Sequence, residues 1–269
     1  MSSRRPVLRR MLQFSLRTFL VLLTAGCIWL GLKTEKVRRQ RYLVRMVNNL
    51  GGELAYDYQY QWGPVQLGTP PTPPGPKLLR SVLGDDYFAD LVSVQVKNVA
   101  EQDIARIAKQ KSLRHLSVSS GVGDESLESI SRLRHLERLE LYGGRFTGAG
   151  FDRLSALPKL RALVIGNMGL SEESARSIGR LVHLEQLSLE HTRLASKHLK
   201  CLTGLRNLTS LDLSGTLVGD EGLTALYELK QLKTVRLDGT MVTARGIKKL
   251  QAALPDAEVS SVVVGHGIF

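Results

Sequence analysis

Apolar residues recur in one fixed order along the C-terminal two thirds of the chain. In residues 208–229 the leucines at 208, 211 and 213 have the spacing of a strand, and the apolar residues at 218, 223, 226 and 229 have the spacing of a helix. The same order returns every 24 residues in five copies, which begin at Leu136, Leu160, Leu184, Leu208 and Leu232. The pattern therefore predicts strand–turn–helix coils that stack on their neighbours, because a single coil cannot bury its apolar face alone.

The pattern L-x-x-L-x-L, followed by a turn and a short helix, resembles the leucine-rich repeat. That resemblance implies an α/β fold: a right-handed leucine-rich-repeat solenoid, or horseshoe, with a parallel concave sheet and convex helices. We predict about seven coils over residues 91–254, the first two of which step by 22 and 23 residues. The chain departs from the common form in one column, which reads Gly144, Met168, Thr192, Thr216 and Thr240 where that form has Asn or Cys. The threonine hydroxyls are expected to bond the backbone of the neighbouring turn in place of an asparagine ladder.

The N-terminal part predicts three segments. Residues 1–13 form a basic tail, residues 14–32 an apolar stretch long enough for one transmembrane helix, and residues 33–52 an amphipathic juxtamembrane helix that stops at Gly51-Gly52. Two alternatives remain open. The first is a cleaved signal peptide, although no small-x-small cleavage site follows Leu32. The second is a lipoprotein with its motif at residues 24–27 (TAGC), although further apolar residues follow that motif.

Irregular segments flank the repeats. Residues 53–90 are predicted to cap the first coil, with an alternating strand at 53–60, a Pro-rich loop at 61–76 and a short amphipathic helix after it. Residues 255–269 are predicted to form a C-terminal cap and tail. Within them, residues 257–264 (AEVSSVVV) supply a strand for the open edge of the sheet.

The formal charge of +12 is unevenly distributed. Residues 1–45 carry 11 basic residues against Glu35, whereas residues 46–269 carry 26 basic and 24 acidic residues. A nearly neutral repeat region argues against nucleic acid as a partner, and the basic flanks of the N-terminal helix are suited to anionic membrane lipids. Both flanks are basic, so the positive-inside rule nearly cancels. The predicted location is a single-pass membrane protein with its repeats on the extracytoplasmic side, the usual arrangement of an N-terminal signal anchor.

The order of anchor, juxtamembrane helix, Tyr-containing strand, Pro-rich loop, LLRSVLGDDYF and repeats resembles a large group of bacterial membrane-anchored repeat proteins. Leucine-rich-repeat proteins generally bind other proteins on the concave sheet, so the resemblance implies a non-catalytic, membrane-anchored protein-interaction module. Tyr142 is predicted to be the aromatic anchor of that face, next to a smooth apolar patch at Ala162, Val164 and Gly166. The predicted protein-binding residues are those expected between the inward leucines, namely Arg138, Glu140, Tyr142, Val164, Asn167, Glu190, Asp212, Arg236 and Asp238.

The sequence predicts no enzyme, metal, cofactor or small-molecule substrate. The six histidines are scattered, no His/Cys/carboxylate cluster has the spacing of metal ligands, and no phosphate-loop or G-x-S-x-G motif is present. His191, Glu190 and Asp212 could supply acid–base chemistry, but polar residues occur on the face of any such sheet. The alternative function is a structural envelope component that self-associates without a specific client.

Overall fold

The computed structural model describes residues 16–60 and 72–261. Its α-helices are α1 Leu16–Asn49, α2 Lys77–Leu83, α3 Glu101–Ile107, α4 Asp124–Ile130, α5 Gly148–Asp152, α6 Glu172–Ile178, α7 Asp220–Leu223 and α8 Ala244–Ala253. Short 3₁₀-helices lie at Asp85–Tyr87, Arg153–Ala156, Ser196–Leu202 and Thr224–Glu228. The strands are β1 Glu53–Tyr56, β2 Leu91–Lys97, β3 His115–Ser119, β4 Arg138–Tyr142, β5 Ala162–Gly166, β6 Gln186–Ser188, β7 Ser210–Asp212, β8 Thr234–Arg236 and β9 Glu258–Ser260.

These strands form one sheet in chain order, from β1 to β9. Strands β2 to β9 are parallel, and β1 pairs with β2 in the antiparallel sense. The repeat sets the pairing, because Leu139, Leu163, Leu187, Leu211 and Val235 face one another across successive strands. One helical segment follows each strand from β2 to β8, and each strand pairs with the next strand along the chain.

The leucine positions of the repeat line a continuous core. The strand leucines and the apolar residues of the helices are buried together from Leu43 and Val47 in the last turns of α1 to Ala257 before β9. Alternate residues of a strand point to opposite faces, so the residues between these leucines must point away from the core. This solvent-facing side of the sheet is the outer face, and it is the side predicted to be concave. The core thus accounts for the spacing of the repeat and leaves the outer face polar.

The threonine column closes each turn within its own coil. The hydroxyls of Thr192, Thr216 and Thr240 donate to the carbonyl oxygens of Leu189, Leu213 and Leu237, three residues earlier, at 2.7, 2.6 and 2.7 Å. The expectation that they would bond the neighbouring turn is therefore wrong. A hydroxyl is too short to span two coils about 4.8 Å apart and also satisfy the carbonyl that its own turn leaves inside the core.

A second column, just after the strands, has left-handed backbone. Residues with positive φ in this column are Asn98, Ser120, Gly143, Asn167, His191, Gly215 and Gly239. Glycine and asparagine tolerate this conformation at low cost, which explains the composition of the column. Asn167 and His191 therefore form turns, whereas the sequence placed them among the residues of the strand face.

Two pairs of coils are joined by an aspartate at the start of one helix and a threonine that caps the next. Asp220 accepts hydrogen bonds from the backbone N and Oγ1 of Thr243 at 2.8 and 2.6 Å. Asp124 accepts the same two bonds from Thr147, 96 residues earlier, at 2.9 and 2.6 Å. Each threonine in turn caps its own helix, so one carboxylate fixes the distance between two helices.

The described residues divide into two compact units. One consists of residues up to Tyr42 with Pro73–Ala89, and the other of the remaining described residues. Inside the first unit, Gln40 is buried and its side-chain amide donates to the carbonyl oxygen of Ala89 at 3.0 Å. Lys33 Nζ lies 4.4 Å from the centre of the Tyr87 ring.

The N-terminal segment differs from its prediction. A single helix, α1, runs from Leu16 to Asn49 through both the predicted transmembrane helix (14–32) and the predicted juxtamembrane helix (33–52). No helix among residues 16–60 and 72–261 combines the length and the apolar character that a membrane crossing requires. The membrane span is therefore not supported by the residues described, and positions 14 and 15 lie outside them.

The flanking segments are shorter than predicted. β1 ends at Tyr56 and residues 57–59 form a turn, so the alternating strand covers half of 53–60. Most of the Pro-rich loop, residues 61–71, lies outside the described residues, as does the end of the C-terminal strand from 262 onward. β9 spans only Glu258–Ser260 of the strand predicted at 257–264.

Candidate functional site

Four polar side chains on β2, β3 and β4 form a chain of contacts on the outer face of the sheet. Ser93 Oγ lies 3.1 Å from His115 Nδ1, and His115 Nε2 lies 3.3 Å from Glu140 Oε1. Arg138 Nε donates to the same Glu140 oxygen at 2.6 Å. Burial alone would raise the pKa of Glu140, but the contact with His115 and the hydrogen bond from Arg138 outweigh it and lower this pKa to about 2.

This chain of contacts holds Glu140 as a fixed negative charge. Ser93 is 5% exposed and His115 is 9% exposed. A serine nucleophile needs its Oγ open to substrate, and here the sheet and its neighbours cover it. We therefore read the arrangement as a structural polar network that orients Arg138.

Tyr60, which follows the turn after β1, lies beside the network. Its ring centre lies 6.4 Å from that of His115, at an interplanar angle of 39°. Burial, together with the nearby charge of Glu137, raises the pKa of Tyr60 to about 12. The outer face thus carries an aromatic ring in addition to Tyr142, which sequence reasoning missed. The sequence feature that could have indicated this ring is the alternation of tyrosines at 56, 58 and 60.

The side chains of β4 lie down across β5. Arg138 Nη1 reaches Gln186 Oε1 on β6 at 3.4 Å, and Ala162 lies between them in the register. Ala162 is accordingly 0% exposed and Val164 is 9% exposed. A smooth apolar patch at Ala162, Val164 and Gly166 was predicted. That prediction is wrong, because long side chains from the neighbouring strand cover these small residues.

Gly166 provides the space that Tyr142 occupies. A Cβ at Gly166 would lie 2.8 Å from Tyr142 Cδ1 and 3.4 Å from Glu190 Cγ. The ring therefore rests on the glycine, with Glu190 on its other side. Burial, with the charges of Glu140 and Glu190, raises the pKa of Tyr142. Tyr142 remains half-buried, with part of its ring open to a partner.

The remaining predicted residues lie on β7, on β8 and in the turns after the strands. Asp212 is half-buried, and its Oδ2 lies 3.8 Å from Nη1 of the exposed Arg236. Glu190 and Asp238 follow the strand residues of β6 and β8 and are half-buried. Asn167 is an exposed turn residue with φ 55°. The structure therefore brings Arg138, Val164, Asp212 and Arg236 together around one depression, and the other predicted residues do not line it, namely Glu140, Tyr142, Asn167, Glu190 and Asp238.

A depression of about 770 Å³ lies over β5 to β8 at the centre of the outer face. Arg138 borders it on one side and Arg236 with Lys233 on the other, and Val164, Gln186, Ser188, Ser210 and Thr234 are among the residues of its lining. The strand alternation places Gln186, Ser188, Ser210 and Thr234 on this face, although they were not among the predicted binding residues, and Lys233 was not predicted to lie there. In the described part of the chain, no group of three or more His, Cys, Asp and Glu residues could hold a metal ion. The lining exposes both polar and apolar atoms, with Leu163, Val164 and Leu187 at its base, so the depression can receive polar and apolar groups of a ligand.

Comparison with known proteins gives only structural likenesses. No family model matches the chain, and no curated protein matches it. An internalin from Listeria monocytogenes is similar at a TM-score of 0.49 and 19% identity over 65% of this chain and 47% of that one. A leucine-rich-repeat protein of Leptospira interrogans is similar at 0.43 and 19%, over 69% and 51%. An internalin C2 from Listeria monocytogenes is similar at 0.38 and 22%, over 61% and 78%.

The chain spans about half the length of the first two of these structures. The scores are too low to transfer more than a general likeness. The evidence for the fold lies in the chain itself: eight parallel strands in sequence order, a step near 24 residues and a continuous leucine core. These features identify its coils as those of a leucine-rich-repeat solenoid.

Proposed function

We propose that this chain is a repeat scaffold that binds another protein on the outer face of its sheet. The observation that carries the proposal is the depression over β5 to β8, with its polar lining and bordering arginines. Arginine and tyrosine are the residue types that most often dominate the energy of a protein interface. Arg138 and Tyr142 lie on β4 beside the depression, and each is already oriented by a neighbour.

Photocrosslinking in cells tests this proposal. A photoreactive amino acid at Ser188, in the depression, is expected to crosslink a different protein in one defined species. The matched control is the same amino acid at Lys248, an exposed residue of helix α8. Crosslinks to a second copy of the chain alone would instead support the self-associating envelope component. Equal crosslinks from both positions would contradict binding on this face.

We also propose that the chain is attached to a membrane through α1, with the repeats on the extracytoplasmic side. The supporting observation is a run of five apolar side chains in α1 that are 48–64% exposed, namely Phe19, Leu20, Val21, Leu22 and Leu23. Consecutive positions of a helix point in all directions, so this run exposes apolar surface around the whole helix. Basic residues on the same helix at 33, 36, 38, 39 and 41 are suited to anionic lipid head groups.

Membrane fractionation and protease protection test this second proposal. Replacing Val21, Leu22 and Leu23 with serine is expected to move the protein from the carbonate-resistant membrane fraction to the supernatant. Replacing the exposed Leu217, which lies in the repeat region, is the control and is expected to change nothing. In intact cells without an outer barrier, added protease is expected to digest the repeats. Digestion only after the membrane has been permeabilised would contradict the proposed orientation.

A further inference from the structure

We infer that the depression on β5 to β8 holds an acidic peptide segment of the partner, whose carboxylates bind Arg138 and Arg236. This inference rests on the proposed function, because it names the chemistry of the segment that the sheet receives. It follows from the arrangement of charge in the depression, from the hydrogen-bonding capacity left on the two arginines, and from their separation.

The charge that the depression presents to solvent is positive. In both of its ion pairs the guanidinium group is more exposed than the carboxylate. The side chain of Arg138 is 34% exposed and that of Glu140 14%, and the side chain of Arg236 is 61% exposed and that of Asp212 18%. Lys233, on the same rim, is 59% exposed, and its Nζ lies 3.7 Å from Oδ2 of Asp256, which is 78% exposed. An approaching ligand therefore meets the guanidinium groups of Arg138 and Arg236 before it reaches Glu140 or Asp212, and Lys233 adds little net charge.

The two half-buried carboxylates already have partners within the protein. Glu140 Oε1 accepts from Arg138 Nε and lies 3.3 Å from His115 Nε2, and Asp212 Oδ1 accepts from the backbone N of Ser214 at 2.9 Å. A guanidinium group has five N–H donors, and each of these ion pairs uses only part of that number. Arg138 Nη1 also lies 3.4 Å from Gln186 Oε1. The N–H groups that remain on each arginine can donate to a second carboxylate, the acceptor that a guanidinium group binds most strongly.

The separation of the two guanidinium groups can be spanned by two neighbouring acidic side chains. The side chain of Arg138 extends over β5 to Gln186 on β6, and that of Arg236 turns from β8 toward Asp212 on β7. Gln186 and Asp212 lie one strand apart and in rows offset by two residues, so the charged ends lie about 8–12 Å apart. Acidic residues two positions apart on an extended segment, or one helical turn apart, start from positions about 5–7 Å apart, and their side chains can spread to that distance.

A peptide suits this surface better than a nucleic acid does. Acidic residues follow at the carboxyl ends of the strands, where Glu190 and Asp238 lie just beyond the positive region. A continuous phosphate backbone would have to cross these residues, and the nearly neutral repeat region provides no further basic track. An acidic side-chain pair needs only the local positive region.

The test measures the binding of short fluorescent peptides to the purified full chain by anisotropy. The probe contains two glutamates four positions apart in an uncharged background, and its matched control has glutamine at both positions. We expect the glutamate peptide to bind and the glutamine peptide to fail. Arg138→Gln and Arg236→Gln should each weaken binding at least tenfold, which corresponds to about 1.4 kcal/mol. Lys248→Gln, which removes the same charge from α8, should change binding less than twofold.

Several outcomes would overturn the inference. It fails if neither peptide binds, or if both arginine variants bind like the wild type. Tighter binding of a single-stranded oligonucleotide, lost in the same two variants, would assign the site to phosphate instead. Since Arg138 also orients Glu140, the exposed Arg236 is the variant that keeps the test valid if Arg138→Gln unfolds the protein. If Ser188 still captures a different protein while the acidic peptide fails, the proposed function stands and only its ligand chemistry is refuted.

Discussion

The carboxylate that joins two coils predicts an unusual effect for Gly246→Ala. Gly246 lies in the first turn of α8, where alanine normally stabilises a helix relative to glycine by about 0.5–1 kcal/mol. Here an added Cβ would lie 2.1 Å from Asp220 Oδ1. No non-bonded contact tolerates that distance, so Asp220 would have to leave the position in which it accepts its two hydrogen bonds from Thr243.

The magnitude follows from the bonds that Asp220 would lose. Its carboxylate accepts from the backbone N and Oγ1 of Thr243 at 2.8 and 2.6 Å. Each bond contributes about 1 kcal/mol once solvent exposure of the site is taken into account. After subtraction of the intrinsic gain of alanine, Gly246→Ala is expected to lower the free energy of unfolding by about 1–1.5 kcal/mol. The equivalent Gly150→Ala, with its Cβ 2.0 Å from Asp124 Oδ1, is expected to act in the same direction.

Urea unfolding followed by circular dichroism measures this effect. Gly169→Ala is the control, because nothing lies within 4 Å of an added Cβ there. In an Asp220→Ala background the clash is gone, so Gly246→Ala should then be stabilising by the intrinsic gain of alanine, and a double-mutant cycle should give a coupling of about 2 kcal/mol. A stabilising single Gly246→Ala variant, or strictly additive losses, would refute the argument that Asp220 excludes a side chain at this position.

Three further predictions test the outer face, the turns and the core. Burial would raise the pKa of Glu140, but hydrogen bonds from its basic neighbours lower it from about 4.5 to about 2, so its charge stabilises the fold above pH 4.5 and this contribution is lost toward pH 2. Glu140→Gln should therefore flatten that part of the acid titration, and identical slopes would be evidence against it. Thr216→Val removes the buried hydroxyl that donates to the Leu213 carbonyl and leaves that carbonyl the bond from the backbone N of Thr216 at 3.2 Å, so it is expected to cost about 0.5–1.5 kcal/mol in urea unfolding; no loss would mean that the backbone bond alone satisfies the carbonyl. Leu211→Ala, at a fully buried position, should cost about 2–5 kcal/mol, whereas Leu217→Ala, at a position 53% exposed, should cost under about 0.5 kcal/mol; comparable losses would contradict the inward direction of the strand leucines.

The repeat could be predicted from the sequence because each coil buries the same positions. Leu187, Leu211 and Leu213 are all buried between two similar coils, and such a position recurs every 24 residues. The parallel sheet follows from that recurrence, since stacked copies in one direction pair equivalent strand residues. The threonine column was visible too, but its hydrogen-bond partner was not, because period and composition do not distinguish a bond within a coil from a bond between coils.

Contacts on the outer face depend on side-chain length and direction, which a repeat pattern does not encode. Ala162 and Val164 look like an exposed apolar patch when the strands are aligned by letters, and the reach of Arg138 to Gln186 is what buries Ala162. Tyr60 was harder still to predict, since a residue before the repeats comes to lie near His115 on their second strand. Residues that carry function on such a sheet are therefore set by contacts that cross coils. Mutating the small residue beneath a long side chain then tests the surface as directly as mutating the long side chain itself. At Gly166 a new Cβ would displace the Tyr142 ring, and it would not touch the Arg138–Glu140 or the Arg236–Asp212 pair.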